Sequence, residues 1–381
     1  MDDGMVTIDG DRIVAVEPAS HRSGDVRDLG DVVLMPALVN AHTHLEFSHL
    51  RAPLGWPGMP LVEWLTLAIA ERHRHDAKSV QSIAAGIQES IAAGTSALGD
   101  IATAEPAIVE SSSQLTILPF LEAIGFSRAR AASALVAIEQ RVDDAVRLNL
   151  EVGISPHAPY TVSPELVAKL VALACVHGMP VAMHLAESAE ELDFLSAGSG
   201  PFRDLLEARS MWDNSAIPRG SRPLDYLRLL AQAPRSLVIH GNYLAPDSHK
   251  FLAENADRMT LVYCPRTHAY FNHPRYPLGE ALAAGVQVAL GTDSRASNPD
   301  LSLLGEMRQV ARVHATVQPE TILKMATLHG ARALGCDEQC GSLAPGKLAN
   351  LIAVPAPNGW LAELLHGEAA PSAIWLRGRE V

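Results

Sequence analysis

Cysteine is scarce in this chain: Cys175, Cys264, Cys336 and Cys340 are the four in 381 residues. They are too few and too scattered to form a disulfide framework. Cys336 and Cys340 have C-x3-C spacing, but no second Cys or His pair stands beside them, so they read as loop thiols rather than metal ligands. No uninterrupted apolar run approaches the roughly 20 residues of a membrane span. The opening Met1-Asp2-Asp3-Gly4 shows no basic segment followed by an apolar stretch, so no signal peptide is visible and the cytoplasm is the expected compartment. Positive charge is also in deficit: 30 basic against 43 acidic residues leave a net charge of -13. That balance opposes broad attraction to nucleic acid or anionic lipid and favours a small-molecule partner, with homo-oligomerisation left open.

Apolar residues make up 48% of the chain and charged residues 19%, ample for a large ordered core. Near the start, Met5 to Ile8 and Arg12 to Val16 are β-type runs separated by Asp9-Gly10-Asp11, the signature of a hairpin. Near the end, Leu348 to Val354 and Ala373 to Leu376 are β-like again. Residues 1–36 and 344–381 are therefore expected to pair into one small β-sandwich domain outside the main body. Between them, residues 37–343 alternate strand-like runs with helical stretches. The strands are expected at Leu38–Ala41, Thr95–Leu98, Leu115–Leu121, Glu151–Ser155, Pro180–Met183, Ser236–Ile239, Met259–Tyr263 and Val286–Leu290. Helices such as Val80 to Ala93 and Pro164 to His177 are each followed by a terminating glycine. Eight strands alternating with helices predict an α/β fold, a (β/α)8 TIM-type barrel. The competing open doubly wound sheet would carry a Gly-rich phosphate loop after its first strand. Here that strand ends in His42-Thr43-His44.

Residues two apart on a strand share a face, so His42 and His44 can reach one cation. Alone, the pair is as easily a polar strand end. Barrel active sites, however, are built at the C-terminal ends of the strands. The polar residues that close the predicted strands are His42, His44, Asp100, His157, His184, His240 and Asp293. Imidazole and carboxylate suit zinc or iron(II), and a catalytic metal of this kind lowers the pKa of bound water to about 7. Hydrolysis is the chemistry to expect.

These motifs carry a family resemblance that spans nearly the whole chain in order. Met35-Pro36-Ala37-Leu38-Val39-Asn40-Ala41-His42-Thr43-His44, Ser155-Pro156-His157-Ala158-Pro159-Tyr160, His184-Leu185-Ala186-Glu187, Val238-Ile239-His240-Gly241 and Leu290-Gly291-Thr292-Asp293-Ser294 resemble those of the amidohydrolase superfamily. The resemblance implies that His42, His44, His184 and Asp293 bind one divalent metal, zinc first and iron(II) as the alternative, with His240 beside the metal-bound water. Glu151 to His157 contains no lysine, which implies a mononuclear site. Glu187, three residues after His184, stands where the deaminases of this superfamily carry the acid that protonates the substrate ring. Asp293 would then act as base and His240 would stabilise the adduct. His157 and Tyr160 stand where nucleoside-type deaminases touch substrate, whereas Asp100 reads as structural.

His42 to Ser48, Gly291 to Asn298 and Leu301 to Met307 look most like the aminodeoxyfutalosine deaminase branch, which implies an adenine ring as the reacting group and a place in menaquinone biosynthesis. Trp56 and Trp64 are expected to line a nucleoside pocket, although a Trp on an amphipathic helix is equally a core residue. Cys264-Pro265-Arg266-Thr267-His268 departs from the Cys-Pro-x-Ser-Asn of related deaminases, which makes Arg266 and His268 candidate substrate contacts. Family members usually precede the first hairpin with another strand, so either the start lies upstream or the small β domain is reduced. The alternatives are hydrolysis of another cyclic amide or amidine, triazine dechlorination, and a non-catalytic scaffold.

Overall fold

A computed structural model describes residues 3–21, 25–74, 80–105, 114–357 and 360–381. Its centre is an eight-stranded parallel sheet, nearly closed into a barrel, in which every strand neighbours its successor in the chain. The strands are β4 (Leu38–Thr43), β5 (Thr95–Ala102), β6 (Thr116–Ala123), β7 (Gly153–Pro156), β8 (Val181–Leu185), β9 (Ser236–His240), β10 (Met259–Tyr263) and β11 (Val288–Leu290), preceded by β1 (Gly4–Asp9), β2 (Arg12–Pro18) and β3 (Val32–Pro36). All eight expected barrel strands are present. The last is shorter than its apolar run, since Val286 and Gln287 lie ahead of β11. Among the described residues no helix is long and apolar enough to cross a membrane.

Period-2 alternation divides the strand side chains between two cores. Val39, Ala41, Ala97, Phe120, Ala182, Leu237, Ile239, Val262 and Ala289 form one cluster, the filling of the barrel. Their neighbours Leu38, Leu98, Leu121, Ile154, Val181, Val238, Leu261 and Leu290 belong to another cluster shared with the surrounding helices. Strands covered on both faces read as continuous apolar runs, which is how they appear in the sequence. The helix Pro164–His177 shows why the intervening segments coil: Ser163 Oγ accepts from Leu166 N at 3.3 Å, and Gly178 ends the helix at φ 67°.

The seam lies between β4 and β11. His42 O accepts from both Thr292 N and Asp293 N at 3.1 Å, and an isolated parallel bridge joins Thr43 to Asp293. Asn40 clamps the same place: its Oδ1 accepts from Thr292 N at 3.1 Å and His42 N at 3.2 Å, while Nδ2 donates to Thr292 Oγ1 at 2.8 Å.

The terminal segments meet beside the barrel. β12 (Leu351–Pro355) pairs antiparallel with β3 on one side and β13 (Ala373–Leu376) on the other, and β14 (Arg379–Glu380) completes four strands. The hairpin β1–β2 is a separate two-stranded sheet. It is tied on by an Arg12–Leu348 bridge and by Ile13 N donating to Lys347 O at 2.9 Å. Ile13, Ala349 and Leu351 form the small core between the two sheets, with Val6, Ile8 and Trp375 packed on it.

The seam generates a stability prediction. Asn40→Ala removes the side-chain acceptor of His42 N and the amide donor to Thr292 Oγ1, while Thr292 N keeps His42 O, a loss of about 1–3 kcal/mol. A lowered urea midpoint should report it, whereas Val176→Ala, at a side chain 79% exposed, should leave the midpoint nearly in place. An unchanged midpoint for Asn40→Ala would show that the backbone alone holds the seam.

Candidate active site

Strand ends β4, β8, β9 and β11 bring four imidazoles and a carboxylate to one buried point. His42 Nε2 and His44 Nε2 lie 3.5 and 3.6 Å from the same Asp293 oxygen, Oδ1. His44 Nε2 and His184 Nε2 are 3.3 Å apart. Two sets of donor atoms, from His42, His184 and His240 and from His42, His44 and Asp293, each fall within 4.8 Å of one another. The His42 ring stands edge-on to those of His44, His184 and His240 at centroid distances of 4.9, 5.0 and 5.8 Å.

Alternation alone does not place these groups. His42 follows Ala41, a barrel-filling residue, and the β4–β5 register shifts between Asn40 and Thr43. Such an irregularity re-aims side chains at a strand end. His240 and Asp293 occupy left-handed backbone conformations, φ 68° and 56°, and so does Ala186 at 53°. Non-glycine residues pay of order 1 kcal/mol or more for this, and such outliers gather at functional sites.

The donor chemistry fits a cation. Burial holds His44, His184 and His240 well below the ordinary histidine range, and neighbouring imidazoles push all three the same way. Neutral rings present lone pairs. His184 Nδ1 donates to His157 O at 3.0 Å, which leaves its Nε2 as the lone pair that faces His44. Both nitrogens of His42 and Nδ1 of His44 are buried without hydrogen-bond partners. Lone pairs converging at such range call for a positive charge between them, and imidazole with carboxylate matches zinc or iron(II). Burial pushes Asp293 up, but the adjacent His42 ring, His240 and a 2.9 Å hydrogen bond from Ser297 Oγ to Oδ2 outweigh it, and the carboxyl stays below its usual range.

Glu187 has the opposite environment. It is 6% exposed rather than solvated at a helix start, and its Oε1 lies 3.4 Å from His240 Nε2. Burial, reinforced by Asp293 and Glu191, raises its pKa well above the ordinary glutamate value. Its backbone is fixed from two sides. Asn242 Nδ2 donates to Glu187 O at 2.8 Å, and Glu191 accepts from Ala186 N and Glu187 N at 2.8 and 2.9 Å. Glu191, pushed up to about 7 by burial against those two bonds, escaped the sequence reading. Its signal was Ser188-x-x-Glu191, the spacing of a capping box, and Ser188 Oγ does accept from Glu191 N at 3.3 Å.

Among the candidate substrate contacts, His157 and Tyr160 join the site. The His157 ring lies 5.1 Å from that of His184 and 5.7 Å from that of Tyr160, which stacks on Phe202 at 4.0 Å. Arg266 has another task. It donates to Glu306 Oε1 at 2.6 Å and Asp300 Oδ1 at 2.7 Å, because Glu306 is fully buried and needs a cation. His268 packs with His273 and Tyr263, at centroid distances of 5.3 and 5.8 Å, rather than with the metal-type cluster. Trp56 is 55% exposed. Trp64 is core, its Nε1 donating to Ala296 O at 3.1 Å. Asp100 is structural, accepting from Leu45 N at 2.8 Å. Cys336 and Cys340 lie 3.2 Å apart through sulfur and pack on the barrel-filling cluster, within no metal-type group among the described residues.

Known proteins share this arrangement of strands. The model of the amidohydrolase family matches residues 33–373. A 5-methylthioadenosine/S-adenosylhomocysteine deaminase of Nitratidesulfovibrio vulgaris is 30% identical over 381 residues, covering 94% of this chain and 81% of the relative. Helicobacter pylori aminofutalosine deaminase, solved with methylthio-coformycin, superposes with a TM-score of 0.85 at 24% identity, covering all of this chain and 95% of that one. An adenosine deaminase from Xanthomonas campestris with bound zinc gives 0.77 at 26% identity, covering all of this chain and 88% of that one.

The cluster predicts its own metal content. Protein purified without chelator should carry about one equivalent of divalent metal by elemental analysis, and His184→Ala or Asp293→Ala should carry a small fraction of that. Full metal content in both variants would remove them from the ligand set.

Proposed function

Because the chain belongs to the amidohydrolase family and is a hydrolase acting on carbon–nitrogen bonds, we propose that it deaminates an adenine-type nucleoside, exchanging the ring amino group for oxygen and releasing ammonia. Aminodeoxyfutalosine is the first substrate to test. The observation that carries this reading is the buried Glu187 carboxyl 3.4 Å from His240, at the edge of the His42–His44–His184–Asp293 cluster. The deaminase relatives and the inhibitor-bound neighbour support it.

His42, His44, His184 and Asp293 would hold the divalent ion, zinc first and iron(II) as the alternative, and when bound that ion lowers the pKa of a water molecule and so supplies the nucleophile. The chain's own residues handle the protons. Asp293, ionised despite burial, accepts a proton from the attacking water. Glu187, protonated by its environment, delivers one to the ring nitrogen and relieves the charge that develops there. His240 touches Glu187 and is placed to hydrogen-bond the oxygen that adds to the ring carbon. As the carbon–nitrogen bond breaks, the proton taken up by Asp293 leaves with the amine as ammonia, and the remaining proton of the added oxygen restores Glu187 as the carbonyl forms. Two carboxyl groups with opposed environments thus divide acid and base between them. His157 lies against His184 and Tyr160 against His157, and both would contact the nucleoside.

Ammonia release should be followed with aminodeoxyfutalosine, adenosine, 5-methylthioadenosine, S-adenosylhomocysteine and guanine. At least one adenine nucleoside should be deaminated, and Glu187→Gln should lower its kcat by about 10²–10⁴ with metal content unchanged. Absence of ammonia from every adenine substrate, together with hydrolysis of a cyclic amide or dechlorination of a triazine, would overturn the deaminase reading.

A further inference from the structure

The end of the barrel away from the ligand cluster carries two thiols that the proposed chemistry does not use. Val39 N, at the start of β4, donates to Ala326 O at 2.9 Å, and Ala331, Ala333 and Leu334 of the helix Leu328–Leu334 pack into the barrel filling. That helix therefore covers the N-terminal end of the strands. The chain then passes through Cys336 to Cys340 on its way to the terminal β domain. Cys340 is buried and Cys336 is part exposed, and their sulfurs share a hydrogen bond at 3.2 Å. Cys340 N also donates to Cys336 O at 2.9 Å, which closes one helical turn and sets the two Cα atoms about 6 Å apart. A disulfide tolerates that span, and the sulfurs need to approach by only about 1 Å to bond.

The turn is held in this shape from outside. Lys347 Nζ donates to Asp337 O at 2.5 Å, Cys340 O at 3.2 Å and Ser342 Oγ at 2.7 Å. Cys336 N donates to Ala331 O and Leu348 N to Gln339 O, both at 2.9 Å, so the turn is tied to the helix on one side and to the terminal β domain on the other. A backbone fixed in this way keeps the thiols within reach of each other. Their shared hydrogen bond, with Lys347 close by, holds the Cys340 thiol below its ordinary range against burial, while the same bond and burial push Cys336 well up. The buried member is thus the readier thiolate. Cys175, on the helix Pro164–His177, and Cys264, after β10, stand on other elements.

We infer that Cys336 and Cys340 are a modification site, a redox-labile pair that closes to a disulfide by exchange with a small-molecule disulfide such as oxidised glutathione. Cys336, the accessible thiol, loses its proton and attacks a glutathione sulfur; the S–S bond of the oxidant breaks, one glutathione thiolate leaves, and a Cys336–glutathione disulfide forms. Cys340 then attacks the Cys336 sulfur as a thiolate, the mixed disulfide breaks, and the second glutathione thiolate leaves. The two thiol protons end on the two glutathiones, and two electrons pass from the pair to the oxidant. The new bond fastens the turn that joins the barrel to the terminal β domain. Where glutathione keeps most thiols reduced, a bond of this kind serves as a sensor rather than a permanent staple. None of this depends on which substrate the enzyme takes.

Trypsin cuts after Arg332 and Lys347 and so leaves both cysteines on one peptide, Ala333–Lys347. The full chain is incubated with oxidised glutathione, quenched in acid, unfolded, alkylated with N-ethylmaleimide and digested. In the mass spectrum this peptide should have lost two hydrogens and taken up no alkylating group, and dithiothreitol should reverse both changes. In Cys340→Ser, Cys336 should stop at the glutathione adduct. Titrated against a glutathione redox buffer, the folded chain should hold the bond at least about tenfold more strongly than the same chain unfolded in urea. A peptide that remains fully alkylated, or that carries glutathione with no internal bond, overturns the inference. So does a bond held equally well in the unfolded chain, because the spacing alone would then account for it. Both of these measurements use the natural protein, so they decide the question even where the variant fails to fold.

Discussion

Lone pairs that converge without a positive charge are the central constraint on this molecule. His42 and His44 meet beside one Asp293 oxygen, with His184 and His240 against His42, in a buried space where protonating His44, His184 and His240 is disfavoured. Much of the barrel rim is arranged to hold them there. His157 gives its backbone carbonyl to His184 Nδ1, Ser297 gives its hydroxyl to Asp293, and the backbone at His240 and Asp293 stays in a conformation that side chains disfavour. Hydrogen bonds to the far side of such a ring fix its orientation as well as its tautomer.

The same low-polarity setting separates the two carboxyl groups. Asp293 lies against imidazoles and a hydroxyl and remains ionised, whereas Glu187 meets mainly burial and other carboxyl groups. Neither behaviour belongs to the residue type. Glu191 extends the pattern one shell outward, because its position under two backbone N–H groups holds the Ala186–Glu187 turn that aims the acid.

How much of this the sequence could disclose follows from what each feature depends on. Strand order and the gathering of strand-end histidines and Asp293 at one rim were legible because apolar runs and strand-terminal polar residues are local signals. The ion-paired cluster of Glu122, Glu46 and Arg72 was not, because a cluster drawn from β6, the turn after β4 and a helix exists only once the chain has folded. Arg266 misled for a related reason: its partner Glu306 lies forty positions away, and only the packed structure shows that the guanidinium is already engaged. Alternation within β4 would have set His42 on the same face as Leu38, away from the barrel filling, and the register shift past Asn40 intervenes without any glycine or proline to announce it.

His42 joins two roles in one residue. Its ring belongs to the ligand cluster, while its carbonyl receives the two N–H groups of Thr292 and Asp293 that shut the barrel. The ring of strands and the ring of donors are thus fastened at the same clasp. His157 and Tyr160, the proposed substrate contacts, stand on the turn after β7, away from that clasp. A lineage built on this plan can exchange its substrate by rewriting that turn, while the residue that fastens the cylinder keeps the hydrolytic chemistry in place.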